Sequence, residues 1–142
     1  MLSVEERSRF GQIGARGAAA FCVAFAMFQI ALAAGAPWGE MTWGGSTAVL
    51  SIGMRAASAT AAVYLALAAA AMLVRSGDWG RGLPQAPFRW FNGFLAAQLA
   101  LNTGANLASH NAAERYGMGA ASALGFLLCV CALLAVMDRA VP

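Results

Sequence analysis

Gln98, Asn102, Asn106, His110 and Glu114 recur at every fourth position of the chain. On a helix, residues four apart lie beside one another on one surface. Three carboxamides would therefore climb toward a mouth that bears an imidazole and a carboxylate. Amides set against lipid would lose their hydrogen bonds, so the stripe is expected to face another helix or a water-filled cavity. Two readings follow. The amides tie helices together at about 1 kcal/mol per contact, or they line a polar pocket open to one side. Gln29, Arg55, Ser58 and Thr60 are the candidate partners. Each four-residue step turns about 40°, so Gln98 can drift from the face that Asn106 keeps.

The remaining chemistry is sparse. Arg55 can pair with Glu40 or Glu114, or reach lipid headgroups by itself. Arg115 beside Glu114 reads as a cap on its turn. His110 is the single histidine. With no second histidine or nearby thiol, no metal site is expected. No nucleophile–base constellation and no cofactor motif is visible. Cys22, Cys129 and Cys131 all fall in apolar segments. The last two point about 200° apart on a helix, which makes neither a redox pair nor a zinc half-site. All six acidic residues read as lying in loops or tails. The lack of a carboxylate inside a span counts against proton-coupled transport.

What must position these residues is a membrane bundle. Of 142 residues, 61% are hydrophobic and 11% charged, where a soluble domain carries roughly a quarter charged. The expected fold is all-α, an integral membrane antiparallel four-helix bundle in one domain, with spans at about 17–34, 55–75, 90–109 and 117–137. The first run, from Gly17 to Ala34, exceeds the length of a signal-peptide core and reads as a retained helix. Glycines and Pro37 make residues 35–45 a loop, and glycines and prolines do the same for 76–87. Residues 46–54 fit either an interfacial segment or an extension of the second span. Gly117, Ala121, Gly125 and Cys129 on the fourth span, and the small residues from Ala56 to Ala62 on the second, indicate close helix packing within the chain or with another copy.

The chain carries net charge +3 and its nine basic residues are all arginine. They are scattered between apolar segments, which excludes a nucleic-acid-binding face. With four spans, Arg7, Arg9, Arg16, Arg75, Arg81, Arg89 and Arg139 share one side, and Arg55 and Arg115 the other. That asymmetry places both termini in the cytoplasm. Trp38, Trp43 and Tyr116 then mark the outer interface, and Trp79 and Trp90 the inner one.

The outer loop Gly35-Ala36-Pro37-Trp38-Gly39, followed by Trp43-Gly44-Gly45, resembles a motif of uncharacterised short bacterial four-span membrane proteins. The likeness continues through Arg55 and Ser58 and returns at Asn106-Leu107-Ala108-Ser109 and Glu114-Arg115. It implies a multi-pass protein of the bacterial inner membrane and carries no catalytic residues with it. The expected function is non-enzymatic. The chain would bind a lipid, a protein partner or a small apolar molecule through its outer half, where Trp38, Glu40 and Trp43 stand in the loop. A small transporter with a polar path along the third helix, and a membrane enzyme using His110 and Glu114 on a lipid-like substrate, are the rival readings.

The arginine asymmetry makes a direct prediction. A Ser46→Cys variant should react with a membrane-impermeant maleimide on intact cells, because that loop is outside. Labelling only after permeabilisation would reverse the topology.

Overall fold

The computed structural model describes residues 3–133, and among them the chain is entirely helical. Helix α1 is Val4–Ala34, α2 is Ile52–Ser76, α3 is Gln85–Leu107 and α4 is Gly119–Leu133. A single 3-10 turn, Gly39–Met41, interrupts the first loop, and a π-helical turn, Ala113–Met118, leads directly into α4. The expected α-helical class holds. Asp138, Arg139 and the expected end of the fourth helix lie outside the described residues.

The helix ends differ from the sequence expectation because capping, and not hydropathy, sets them. Helix α1 begins at Val4 and not near Gly17. Ser3 Oγ accepts from the Glu6 amide at 3.2 Å, and Glu6 Oε2 accepts from the Ser3 amide at 2.7 Å. This reciprocal box starts a helix in a polar segment well before the apolar run. Glu5 and Glu6 therefore belong to a helix, not to a tail. Gly35, at φ 102°, ends α1 by giving its amide to Ala31 and Leu32, a left-handed cap that suits glycine. Ser51 caps α2 through the Met54 amide, so residues 46–51 stay outside the helix. Helix α3 starts at Gln85, before the expected Trp90. Pro87 sits in its first turn, where a missing N–H costs nothing.

Small side chains set the packing. Ala18, Ala19 and Cys22 of α1 meet Ala68, Ala69 and Met72 of α2, Leu95, Ala96 and Leu99 of α3, and Cys129 of α4. A Cβ on Gly14 would fall 2.6 Å from Cys131 Cβ and 2.8 Å from the Ala132 nitrogen. A Cβ on Gly125 would fall 2.7 Å from the Phe21 ring and 3.2 Å from Leu99. Helices α1 and α4 thus touch almost backbone to backbone. The expected fourth-helix stripe is only partly right. Gly125 and Cys129 are buried, but Gly117 is exposed with nothing within 4 Å of its Cβ position. The buried set is Gly119, Ser122, Gly125, Cys129 and Ala132. Strict four-residue spacing rotates off a face, and the π turn shifts the register before α4 begins.

At the end remote from the 35–51 loop, polar side chains hold the helices together. Asn92, fully buried, donates to the Cys129 carbonyl at 3.2 Å. Arg75, 2% exposed, donates to the Ala132 carbonyl at 3.0 Å and to Gln85 Oε1 at 3.3 Å. Arg16 grips Asp78 through two 2.8 Å bonds and ties α1 to the α2–α3 loop. That guanidinium, helped by the Ser76 hydroxyl, lowers the Asp78 carboxyl to about 2.

Three helical segments are long and apolar enough to cross a membrane: Glu5–Ala34, Ile52–Ser76 and Ala113–Leu133. Helix α3 has the length, but Gln85, Arg89, Asn92, Gln98, Asn102 and Asn106 keep it too polar. Asn92 is buried and Gln98 and Asn106 are partly buried, while Trp90, Phe94 and Leu101 stand exposed.

Gly125→Leu should destabilise the protein by about 1–3 kcal/mol, because the new side chain meets Phe21 and Leu99 with no room to yield. Thermal unfolding in detergent would register a lower midpoint. An unchanged midpoint would place Gly125 outside the packed interface.

Candidate functional site

A cavity of about 350 Å³ lies among the four helices, toward the end that carries the 35–51 loop. Its apolar wall is Phe21 and Phe25 of α1, Ala61, Tyr64 and Leu65 of α2, and Leu95 and Leu99 of α3. Its polar wall is Gln29 of α1, Gln98, Asn102 and Asn106 of α3, Glu114 of the π turn and Ser122 of α4. Thr42 and Trp43 of the loop form its cover. The size falls within the range of small-molecule sites, which combine an apolar lining with a few converging polar groups.

The three amides expected on one helix face do line one cavity, though their roles differ. Gln98 Oε1 accepts from the Tyr64 hydroxyl at 2.6 Å. Asn106 Nδ2 donates to Ser122 Oγ at 3.4 Å, and Ser122 also takes a bond from the Thr103 hydroxyl at 3.1 Å. Asn102 makes no hydrogen bond among the described residues and is exposed. Gln29 is 9% exposed, and its Oε1 is shut off from solvent without a donor. The stripe is thus part tie and part lining.

The upper half of the stripe departs from expectation. Helix α3 ends at Leu107, so His110 does not continue its face. His110 is exposed, in the bend after α3, and is not part of the cavity wall. Glu114 reaches the cavity from a separate segment. Asn111 Oδ1 accepts from the Ala113 and Glu114 amides at 2.9 and 3.2 Å and starts the π turn. That turn points Glu114 inward, 7% exposed. One acidic residue therefore lies buried in a helical segment, contrary to the expectation that all stay in loops or tails. The extra residue in a π turn redirects side chains and recurs at functional sites.

Arg55 pairs with neither Glu40 nor Glu114. Its Nε donates to the Ala33 carbonyl at 2.8 Å, at the end of α1. A cation there satisfies an orphan carbonyl and opposes the negative end of the helix dipole. Glu40 is exposed in the 3-10 turn. Thr60 bonds back to the Ala56 carbonyl and is also exposed. Arg115 lies over the Tyr116 ring at 5.8 Å rather than capping the turn. Trp38 stacks on Phe28 with parallel rings 6.2 Å apart, half exposed.

Trp43 and Glu114 carry the arrangement that the sequence alone did not show. Trp43 Nε1 donates to Ser58 Oγ at 3.1 Å, and Ser58 is fully buried. The Gly44 amide donates to Glu114 Oε1 at 3.0 Å, and the Ser109 hydroxyl to Glu114 Oε2 at 2.6 Å. Asn111 packs against Gly45, where a Cβ would lie 2.8 Å from Asn111 Nδ2. The loop is thereby bolted over the cavity. Trp43 takes φ 55°, the sole positive φ at a non-glycine among the described residues. Such a conformation costs roughly 1–2 kcal/mol and persists where surrounding bonds enforce it, often at ligand clamps. An indole beside two glycines reads equally as an interface anchor, so no sequence signal marked Trp43 as a cover. Tyr64 did offer one: a hydroxyl in mid-span needs a partner.

Glu114→Ala should cost roughly 1–3 kcal/mol by leaving the Gly44 amide and the Ser109 hydroxyl unpaired. Hydrogen exchange at Gly44 and Gly45 should accelerate, and Ser58→Ala should loosen Trp43 in the same loop. Unaltered protection in both variants would mean that the loop is held by other contacts.

No family model, curated protein or solved structure matches this chain, so the geometry alone bears on what it does.

Proposed function

We propose that the chain is an integral membrane protein, an antiparallel four-helix bundle with cytoplasmic termini, that holds a small and largely apolar molecule in the covered cavity. Three membrane-length apolar helices support the first part. So do the large apolar side chains exposed on every helix, among them Val23, Met27, Val63, Leu67, Phe94, Leu101, Leu124 and Leu127. Such a surface suits acyl chains and not water. The fourth crossing would be α3, with its amides turned away from lipid and Phe94 and Leu101 toward it.

The observation that carries the binding reading is the cavity itself, with Gln29 in its wall and the Gln29 amide oxygen buried without a donor. An unmet buried acceptor costs roughly 1–3 kcal/mol, which a donor brought by a guest would offset. A bound molecule would supply both the missing donor and the missing packing. The helix-to-helix ties at Gln98 and Asn106 leave the space between them open.

Glu114 favours transport as a second reading, because a buried carboxylate beside a polar lining is what ion- or proton-coupled carriers use. The geometry supports a membrane enzyme less well. His110 and Glu114 would be its acid–base pair, and His110 lies outside the cavity wall.

A variant that keeps only Trp43, with Trp38, Trp79 and Trp90 changed to Phe, gives the test. Adding 3-phenylpropan-1-ol to this protein in detergent should shift Trp43 emission saturably. Ala61→Phe, which fills the cavity, should weaken that response by about tenfold or more. A linear, unsaturated response that Ala61→Phe leaves unchanged would reduce it to partition into the micelle.

A further inference from the structure

We infer that the ligand of this cavity is a small amphiphile with a primary ammonium head, whose charge is met by Glu114 and whose N–H groups are met by Gln29. This inference rests on the cavity reading and specifies its chemistry. The first ground is charge. Glu114 is the one titratable acid in the cavity wall, 7% exposed. The ion pairs among the described residues are Glu5–Arg9 and Arg16–Asp78, and neither involves Glu114. The two basic side chains nearest in sequence or expected beside it are engaged elsewhere, Arg55 on the Ala33 carbonyl and Arg115 over Tyr116. Glu114 receives an amide and a hydroxyl, but no positive charge. A buried carboxylate without a counter-charge is costly, and a cation entering the cavity relieves that cost.

The second ground is the unmet acceptor. Gln29 comes from α1, independent of the loop that carries Glu114; its side chain borders the same cavity, and its buried Oε1 has no donor. A primary ammonium brings three N–H donors, enough for a carboxylate and an amide oxygen together. A quaternary head would meet the charge but not Gln29.

The third ground is the lining. Phe21, Phe25, Tyr64 and Trp43 are the four aromatic residues that line the cavity. Aromatic faces attract cations, most strongly once water is excluded, and they also receive an apolar tail. The cover over them is held through Glu114 itself, by way of the Gly44 amide. A cation on Glu114 would therefore act on the loop that closes the site.

The Trp43-only protein, titrated with a matched series, tests the assignment: 3-phenylpropylammonium, its N,N,N-trimethyl form, 3-phenylpropan-1-ol and 3-phenylpropanoate. The primary ammonium should bind at least about tenfold more tightly than the alcohol or the trimethyl form, and the carboxylate most weakly. Glu114→Gln should erase the preference for ammonium over alcohol, the two being compared on the same variant. Gln29→Leu should erase the preference for primary over trimethylated ammonium. Equal binding of ammonium and alcohol to the unaltered protein would overturn the charge assignment and leave the cavity reading standing. Saturable binding by none of the four would overturn both. The comparison among probes needs no variant of Glu114, so a folding defect in Glu114→Gln does not shelter the inference.

Discussion

Glu114 draws three separate stretches of chain to one point. Its oxygens take the Gly44 amide from the first loop and the Ser109 hydroxyl from the turn after α3, and its own backbone begins the approach to α4. Hydrogen bonds to a charged acceptor contribute about 1.5–3 kcal/mol each, more than neutral ones. That strength adds to the Trp43–Ser58 bond and the Trp38–Phe28 stack in holding the loop. It is rich in glycine, makes a single 3-10 turn and buries little beyond Gly39 and Leu50. With Gly44 fixed, Trp43 is committed to its left-handed backbone and its indole reaches Ser58 on α2. The cover, the cavity beneath it and the burial of the carboxylate are thus one arrangement.

The rest of the bundle is built so that this end can stay open. At the far end, Arg75 and Asn92 donate to α4 carbonyls, and Arg16 clamps Asp78. Along the seam between α1 and α4, Gly14, Gly17 and Gly125 let the two helices approach closely. Tight packing there fixes the helices and concentrates free volume near the loop. Within that volume the polar groups are divided. Gln98 and Asn106 are spent on holding neighbours, whereas Gln29 and Asn102 are not. A binding site needs both kinds: some groups to hold its walls and others to meet a guest.

Much of the fold was legible from hydropathy and glycine placement, because burial in lipid or in protein demands the same apolar runs. The helix ends were not. Ser3, Ser51 and Pro84 start helices by local geometry, which hydropathy does not weigh. The candidate site was half legible. Gln98, Asn102, Asn106 and Gln29 share a cavity because helical periodicity and the cost of exposed amides constrain them. The periodic argument failed at His110 because it assumed an unbroken helix, whereas α3 stops at Leu107. It placed Glu114 at the site for the wrong reason, as a fifth step on a stripe, when a π turn delivers it from another element. Opposite charge and headgroups were the partners the sequence offered Arg55, whereas its Nε meets the open Ala33 carbonyl at the end of α1. Trp43 could not be placed without knowing that Gly44 is tethered.

The central claim is that Trp43 and Glu114 close a cavity that is kept for a guest. The structure of the protein in lipid nanodiscs, determined with and without an added guest, measures this most directly. The account predicts the Trp43 indole on Ser58, the Gly44 amide on Glu114, and extra density between Gln29 and the aromatic wall. Trp43 turned out into the headgroup layer, with the helices closed together and the Gln29 amide paired to a neighbouring helix, would contradict it.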